Sequence, residues 1–119
     1  MDPLRKKRLE SLIRREVSEY ILKEIRKKED GIGLVSVTNV YISQDLSTAK
    51  IFFSLFSYEE KENILTWNIL NKYRKKIQSD VSKKIRLRRT PQFIFVLDNS
   101  IKEGDRILEI IERTKKEND

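Results

Sequence analysis

Nine residues between Lys72 and Arg89 are basic (Lys72, Arg74, Lys75, Lys76, Lys83, Lys84, Arg86, Arg88 and Arg89), against one acid, Asp80. A guanidinium offers a planar fork that meets a phosphate through two parallel hydrogen bonds, whereas an ammonium holds one as a point charge. A run of this density suits a polyanion whose phosphates supply the opposite sign. The segment carries +8 in a chain of net charge +7, so the remainder sums to about −1 and the positive charge is localised. A face made for solubility alone mixes signs, and this one hardly does. Arg86, Arg88 and Arg89 are the foremost candidates for contact with such a polyphosphate partner. Alternation around Leu87 sends Arg86 and Arg88 to one side, and Lys75, Lys76, Lys83 and Lys84 would steer and hold the backbone.

A second cluster, Arg5, Lys6, Lys7 and Arg8, falls on the first turn of a helix. Cations there oppose the helix dipole, which leaves two readings, a second RNA contact or an ordinary basic N-terminus. Tyr41, Phe52 and Phe56 have the chemistry of base-stacking platforms, but strand aromatics usually pack, and the core reading is preferred. Trp67 reads as a helix anchor.

Other chemistry finds little to work with. The chain has no cysteine and no histidine, which removes disulfides, thiolate zinc sites, cysteine nucleophiles and imidazole acid–base catalysis. Its three glycines, Gly31, Gly33 and Gly104, form no nucleotide-binding loop. Asp45, Asp80 and Asp98 show no spacing suggestive of a two-metal site. The expectation is a protein that is not an enzyme, with no cofactor, no metal and no small-molecule substrate. The longest apolar run, FIFVL, has five residues, far short of a membrane span, so no membrane partner is expected and the compartment is read as cytoplasmic. A length of 119 residues sets one domain, taken as residues 1–114 with a polar tail over 115–119, and a monomer is expected.

These residues need elements to position them. Asp2-Pro3 opens a helix as N-cap and first-turn proline. Leu9, Leu12, Ile13, Val17, Tyr20, Ile21 and Ile25 form its apolar stripe, and Gly31 and Gly33 stop it. Val35–Ser43 and Thr48–Phe56 read as an antiparallel hairpin across the turn Gln44-Asp45-Leu46-Ser47. Alternation falters at Asn39-Val40, the mark of a bulge. Ser57 and Glu60 match a capping box for the next helix. Leu65, Ile69, Tyr73, Ile77, Val81 and Ile85 then recur every four residues. Each such step rotates the stripe by about 40° on an ideal helix, which predicts a bend or break between Tyr73 and Asp80. Phe93–Asp98 is read as a central strand buried on both sides. A last helix is expected after Asn99 and Ser100, where Gly104 would allow close approach to the sheet.

The stretch RLRRTPQFIFVLDNSIKEGDRI, Arg86 to Ile107, resembles the bacterial ribosome-binding factor A family: a basic run, Pro91, the apolar Phe93 and Phe95, Asp98, then Ser100, Gly104 and Ile107 at the family's offsets. VSVTNVYISQDLSTAKIFFS, Val35 to Ser54, resembles the family hairpin, and the likeness covers nearly the whole chain. It implies an α+β, type II KH-like fold: a three-stranded sheet with helices on one side, in the order α-β-β-α-(kink)-α-β-α. A helix–kink–helix unit would replace the usual Gly-x-x-Gly clamp. The sequence departs from the family where a small Ala-x-Gly-like kink is common, because Tyr73-Arg74-Lys75 stands there. The implied function is non-enzymatic assistance to late maturation of ribosomal RNA on the immature small ribosomal subunit. The alternatives are a general KH-like RNA or DNA binder and a basic protein–protein adaptor.

Overall fold

The computed structural model describes residues 2–98. The first helix, α1 (Pro3–Tyr20), continues through a π-helical stretch, Ile21–Ile25, into a last α-helical turn, Arg26–Lys28. Two strands follow, β1 (Val35–Ile42) and β2 (Thr48–Leu55), then helices α2 (Glu60–Lys72) and α3 (Arg74–Lys84), and strand β3 (Gln92–Leu97). This is the type II KH-like order as far as Asp98. The expected last helix, with Asn99, Ser100 and Gly104, and the tail from Lys115 lie outside the described residues.

One sheet is formed, in the order β1-β2-β3, with β1 antiparallel and β3 parallel to β2. The parallel pairing requires a crossover, which α2 and α3 supply. Ala49, Ile51, Phe53 and Leu55 of β2 are buried on one face, where Ile13, Val17, Ile25, Ile69, Leu70, Ile77 and Val81 of the helices meet them. Phe53 sits at the centre, 4.8 Å from the Phe95 ring and 6.2 Å from Trp67, which does anchor its helix.

In β1 the register shifts between Val37 and Asn39. Before the shift Val37 is buried; after it Val40 and Ile42 are. A strand that kept strict alternation past Val37 would drive Asn39 and Tyr41 into the core, so the extra residue restores the apolar phase. The hairpin turn holds Leu46 in the left-handed region, φ 62°. Asp45 offsets that cost by accepting from Ser43 Oγ at 2.8 Å, Ser47 Oγ at 2.7 Å and Ser47 N at 3.1 Å. These bonds, from Ser47 and Ser43 foremost, bring its carboxyl down to about 2.

The four-residue stripe bends at Tyr73, the single residue between the end of α2 and the start of α3, with φ −91° and ψ 2°. The bend needs no glycine. Tyr73 is a bulky residue in the bridge region, and its hydroxyl donates to Glu29 Oε1 at 3.1 Å.

Three expectations are corrected. β3 is not central: it lies at the sheet's rim beside β2, and Ile94 to Leu97 are half-buried. It is apolar because Phe93, Phe95 and Leu97 serve the core while Ile94 and Val96 lie on the other face. Ser57 does not cap α2, which starts at Glu60; instead Asn63 brackets Ser57, accepting from its N–H at 3.2 Å and donating to its carbonyl at 2.9 Å. Tyr41, Phe52 and Phe56 are absent from the core: Tyr41 and Phe56 are exposed and Phe52 is half-buried, because the phase set by the bulge and by β2 turns the strand aromatics away from the helices.

Helix side chains cap two backbone groups at each rim of the sheet. On β1, Ile42 N donates to Glu10 Oε2 at 2.8 Å and Arg14 Nε donates to the Val37 carbonyl at 3.1 Å. On β3, Phe93 N donates to Gln78 Oε1 at 2.8 Å and its carbonyl accepts from Arg74 at 3.1 Å. Strand edges left bare invite pairing with other chains, and these contacts take up part of each.

Thr66 is fully buried, and its hydroxyl accepts the Gly33 N–H at 2.8 Å, which holds the loop after α1 against α2. Thr66→Val keeps the shape but strands that buried N–H. A loss of about 1–3 kcal/mol is expected, read as a lower urea midpoint at unchanged slope.

Candidate nucleic-acid interface

The nine cations of the Lys72–Arg89 run divide into two groups. Three are engaged within the fold. Arg74 is committed to the Phe93 carbonyl. Lys72 lies 2.9 Å from Glu29 Oε1, the same oxygen that takes the Tyr73 hydroxyl, and its ammonium stands 5.5 Å over the Tyr73 ring. The hydrogen bond from Lys72, then that from Tyr73, holds the Glu29 carboxyl below its usual range. Lys84 lies 2.8 Å from Glu16 and 3.8 Å from Glu19.

Glu16 is the unusual partner. It is 6 % exposed, on a helix face that otherwise carries core residues. Burial would neutralise a carboxyl, but the hydrogen bond from Lys84 outweighs it and, with Arg15 at 3.5 Å, keeps the group ionised. The pair joins α1 to α3 across a cleft of about 370 Å³, also lined by Tyr20, Lys76 and Asp80. Tyr20 donates to Asp80 at 3.0 Å. Its phenol is pushed up to about 12, first by burial and then by the bond to Asp80.

The other six cations, Lys75, Lys76, Lys83, Arg86, Arg88 and Arg89, are exposed. None of them has an ion-pair partner among the described residues. Arg86, Arg88 and Arg89 stand in the loop between α3 and β3. The extended alternation expected around Leu87 is not what presents them. Leu87 N bonds back to the Ser82 carbonyl at 3.1 Å and Arg86 N to that of Lys83 at 3.2 Å, the double closure of a Schellman motif. Arg86 takes its left-handed position, φ 57°, where glycine is usual and any other residue is strained. Glycine would fill this position at lower cost.

The second cluster lies on the first turns of α1, where Arg5, Lys7 and Arg8 are exposed and Lys6 is half-buried. Asp2 caps this helix, its side chain accepting from Leu4 N at 3.1 Å. Sequence reasoning missed the acids that take up Lys72 and Lys84, since Glu29 and Glu16 are distant in the chain and no local pattern joins them. It also missed the Arg86 conformation, for which the hydrophobic Leu87 just beyond a helix end was the available signal. Among the described residues no group of three or more acids is arranged to hold a metal ion, and no helix is long and apolar enough to cross a membrane.

Residues 5–111 match the family model described as ribosome-binding factor A. Similar proteins of that name include one from Microcystis aeruginosa, 41% identical over 108 residues that span 91% of this chain and 84% of the relative. Another, from Thermodesulfovibrio yellowstonii, is 38% identical over 112 residues, 94% of this chain and 92% of the relative. Among solved structures, a Thermotoga maritima protein named as a candidate ribosome-binding factor A superposes with TM-score 0.63 at 30% identity, covering 85% of this chain and 94% of that one. The Thermus thermophilus ribosome-binding factor A, as fitted into a cryo-EM map of its complex with the 30S subunit, superposes with TM-score 0.57 at 22% identity, covering 75% and 90%.

A depressed carboxyl stabilises the fold above its unfolded value, and that contribution is lost as pH falls through the folded value. For Glu16 the loss therefore begins near 4.5 and proceeds downward. Urea midpoints measured from about pH 6 to pH 3 should fall more steeply for the wild type than for Glu16→Gln, which is already weakened at neutral pH. Parallel curves would show that the Lys84 pair contributes nothing.

Proposed function

The chain belongs to the ribosome-binding factor A family, and on that premise we propose that it is a non-enzymatic assembly factor that binds the immature small ribosomal subunit and assists late maturation of its ribosomal RNA. The Thermus relative placed in a complex with the 30S subunit supports that partner. The chain acts in the cytoplasm, as a monomer, without cofactor or small-molecule substrate. The observation that carries the RNA-docking part is the exposed arginine loop after α3, with Arg86 held in a strained left-handed conformation.

Arg86, Arg88 and Arg89 are the phosphate clamp, mounted between the end of α3 and Pro91, which is buried and ties the loop to the sheet. Lys75, Lys76 and Lys83 add point charges along α3. The engaged residues Lys72, Arg74 and Lys84 have a different part: they set the bend, seal β3 and join α3 to α1, and so keep the charged surface stiff. Arg5, Lys6, Lys7 and Arg8 form a second contact on α1. Contacts to backbone phosphate position a protein without reading sequence. Docked in this way, the rigid face favours one local RNA conformation over others until maturation removes its binding site.

With about five phosphates engaged, log affinity should fall against log salt with a slope of roughly −3.5 for unpaired RNA. The combined Arg86→Gly, Arg88→Ala, Arg89→Ala variant keeps the left-handed position comfortable while removing three charges. It should stay folded, bind purified immature small subunits much more weakly, and lose about 2 units of slope. Unchanged affinity and slope would take these arginines out of the interface.

A further inference from the structure

A groove of about 300 Å³ runs between α1 and the outer rim of β1, lined by Lys7, Glu10, Ser11, Arg14, Asn39, Val40 and Tyr41. It lies on β1, at the opposite rim of the sheet from β3, which the arginine loop precedes. The β1 bulge creates it. By shifting the strand's phase it turns Asn39 and Tyr41 away from the core, and both are exposed. Tyr41 is 55% exposed, with its ring held by an 85° edge contact to Phe52 at 5.7 Å. Asn39 accepts the Val40 N–H on its side-chain oxygen at 2.9 Å, which leaves its amide NH₂ without a hydrogen-bond partner among the described residues.

The groove's charges are also set. Glu10, the one acid in the lining, is turned to the strand, where it accepts the Ile42 N–H at 2.8 Å. Arg14 donates its Nε to the Val37 carbonyl at 3.1 Å, which fixes the side chain at the rim. The remainder of the guanidinium and the Lys7 ammonium have no ion-pair partner among the described residues. An exposed aromatic ring, two cations and an amide donor in one groove match the parts of a nucleotide: a base to stack, phosphates to either side, and base acceptors to read. A regular duplex hides its bases within the stack and has nothing to offer the ring.

We propose that this groove seats one unpaired nucleotide of single-stranded RNA, with its base on Tyr41 and its flanking phosphates on Lys7 and Arg14. Asn39 donates to the base edge. The inference rests on the reading of the chain as a factor for ribosomal RNA, and extends it: the protein holds RNA at two separate places, a phosphate clamp on one side of the sheet and a nucleotide seat on the other. The basic first turn of α1 then has a use, since Lys7 belongs to the seat and Arg5, Lys6 and Arg8 extend the positive field along the strand that enters it.

The test is an NMR titration of the full-length ¹⁵N-labelled chain with an oligoadenylate of about six nucleotides, and separately with an RNA duplex of equal charge. Amide shifts at Ser11, Asn39, Val40 and Tyr41 with the single strand, and none there with the duplex, support the seat. Tyr41→Ala should weaken the oligonucleotide about tenfold, because a stacked base is lost, while Tyr41→Phe should bind as the wild type does. Lys7→Ala, on an exposed helix position, should weaken it a few fold and lower the salt slope by about 0.7. Shifts confined to residues 86–89, equal response to the duplex, or full affinity in both Tyr41→Ala and Lys7→Ala would overturn the inference. If those variants also still bind small subunits, the assembly-factor reading stands without it. Failure of the wild type to bind small subunits would remove that reading, and this inference with it.

Discussion

A helical stripe that advances four residues at a time cannot lie flat on a sheet for long. From Leu65 to Ile85 the chain keeps that spacing, and each step turns the apolar line away by about 40°. The fold answers at Tyr73, where α2 stops and α3 starts in a new direction. The cations of α3 take their direction from this bend. Ile69, Ile77 and Val81 all reach the core because of it, and the lysines between them are left on the outside. The Tyr73 hydroxyl and Lys72 converge on a single Glu29 oxygen, so the bend is tied to the far end of the first helix rather than left as a hinge.

Charge in a sequence and charge on a surface differ by what the fold consumes. Lys72, Arg74 and Lys84 look like their neighbours in the chain, yet each is spent on a contact that holds one element to another. The buried Glu16 carboxylate is held ionised by Lys84 first and by Arg15 beside it. The same cationic run therefore supplies both the braces of α3 and its exposed surface. Substituting the whole run would confuse loss of folding with loss of binding, whereas the loop arginines separate the two.

Much of the scaffold was legible because it is local. The amphipathic first helix, the hairpin, its bulge and the break in the second helical stretch all follow from residue spacing, and the Tyr73 break falls at the start of the window that the rotating stripe required. What was hidden depends on partners far apart in the chain. The rim position of β3 could not be read from FIFVL, because a strand with both faces apolar reads the same at an edge or in the middle. Nor could the pairing of Lys84 with Glu16, the start of α2 at Glu60, or the π-helical stretch Ile21–Ile25, since each is settled by tertiary contacts. Of the candidate site, the cluster was legible and the division of its labour was not.

The helix side chains that cap part of both rims have a consequence for how the chain is made. Synthesis proceeds from the N-terminus, so Glu10 and Arg14 leave the ribosome before the β1 backbone they cover, and Arg74 and Gln78 before Phe93 of β3. Each outer strand thus emerges after the side chains that cap part of its rim.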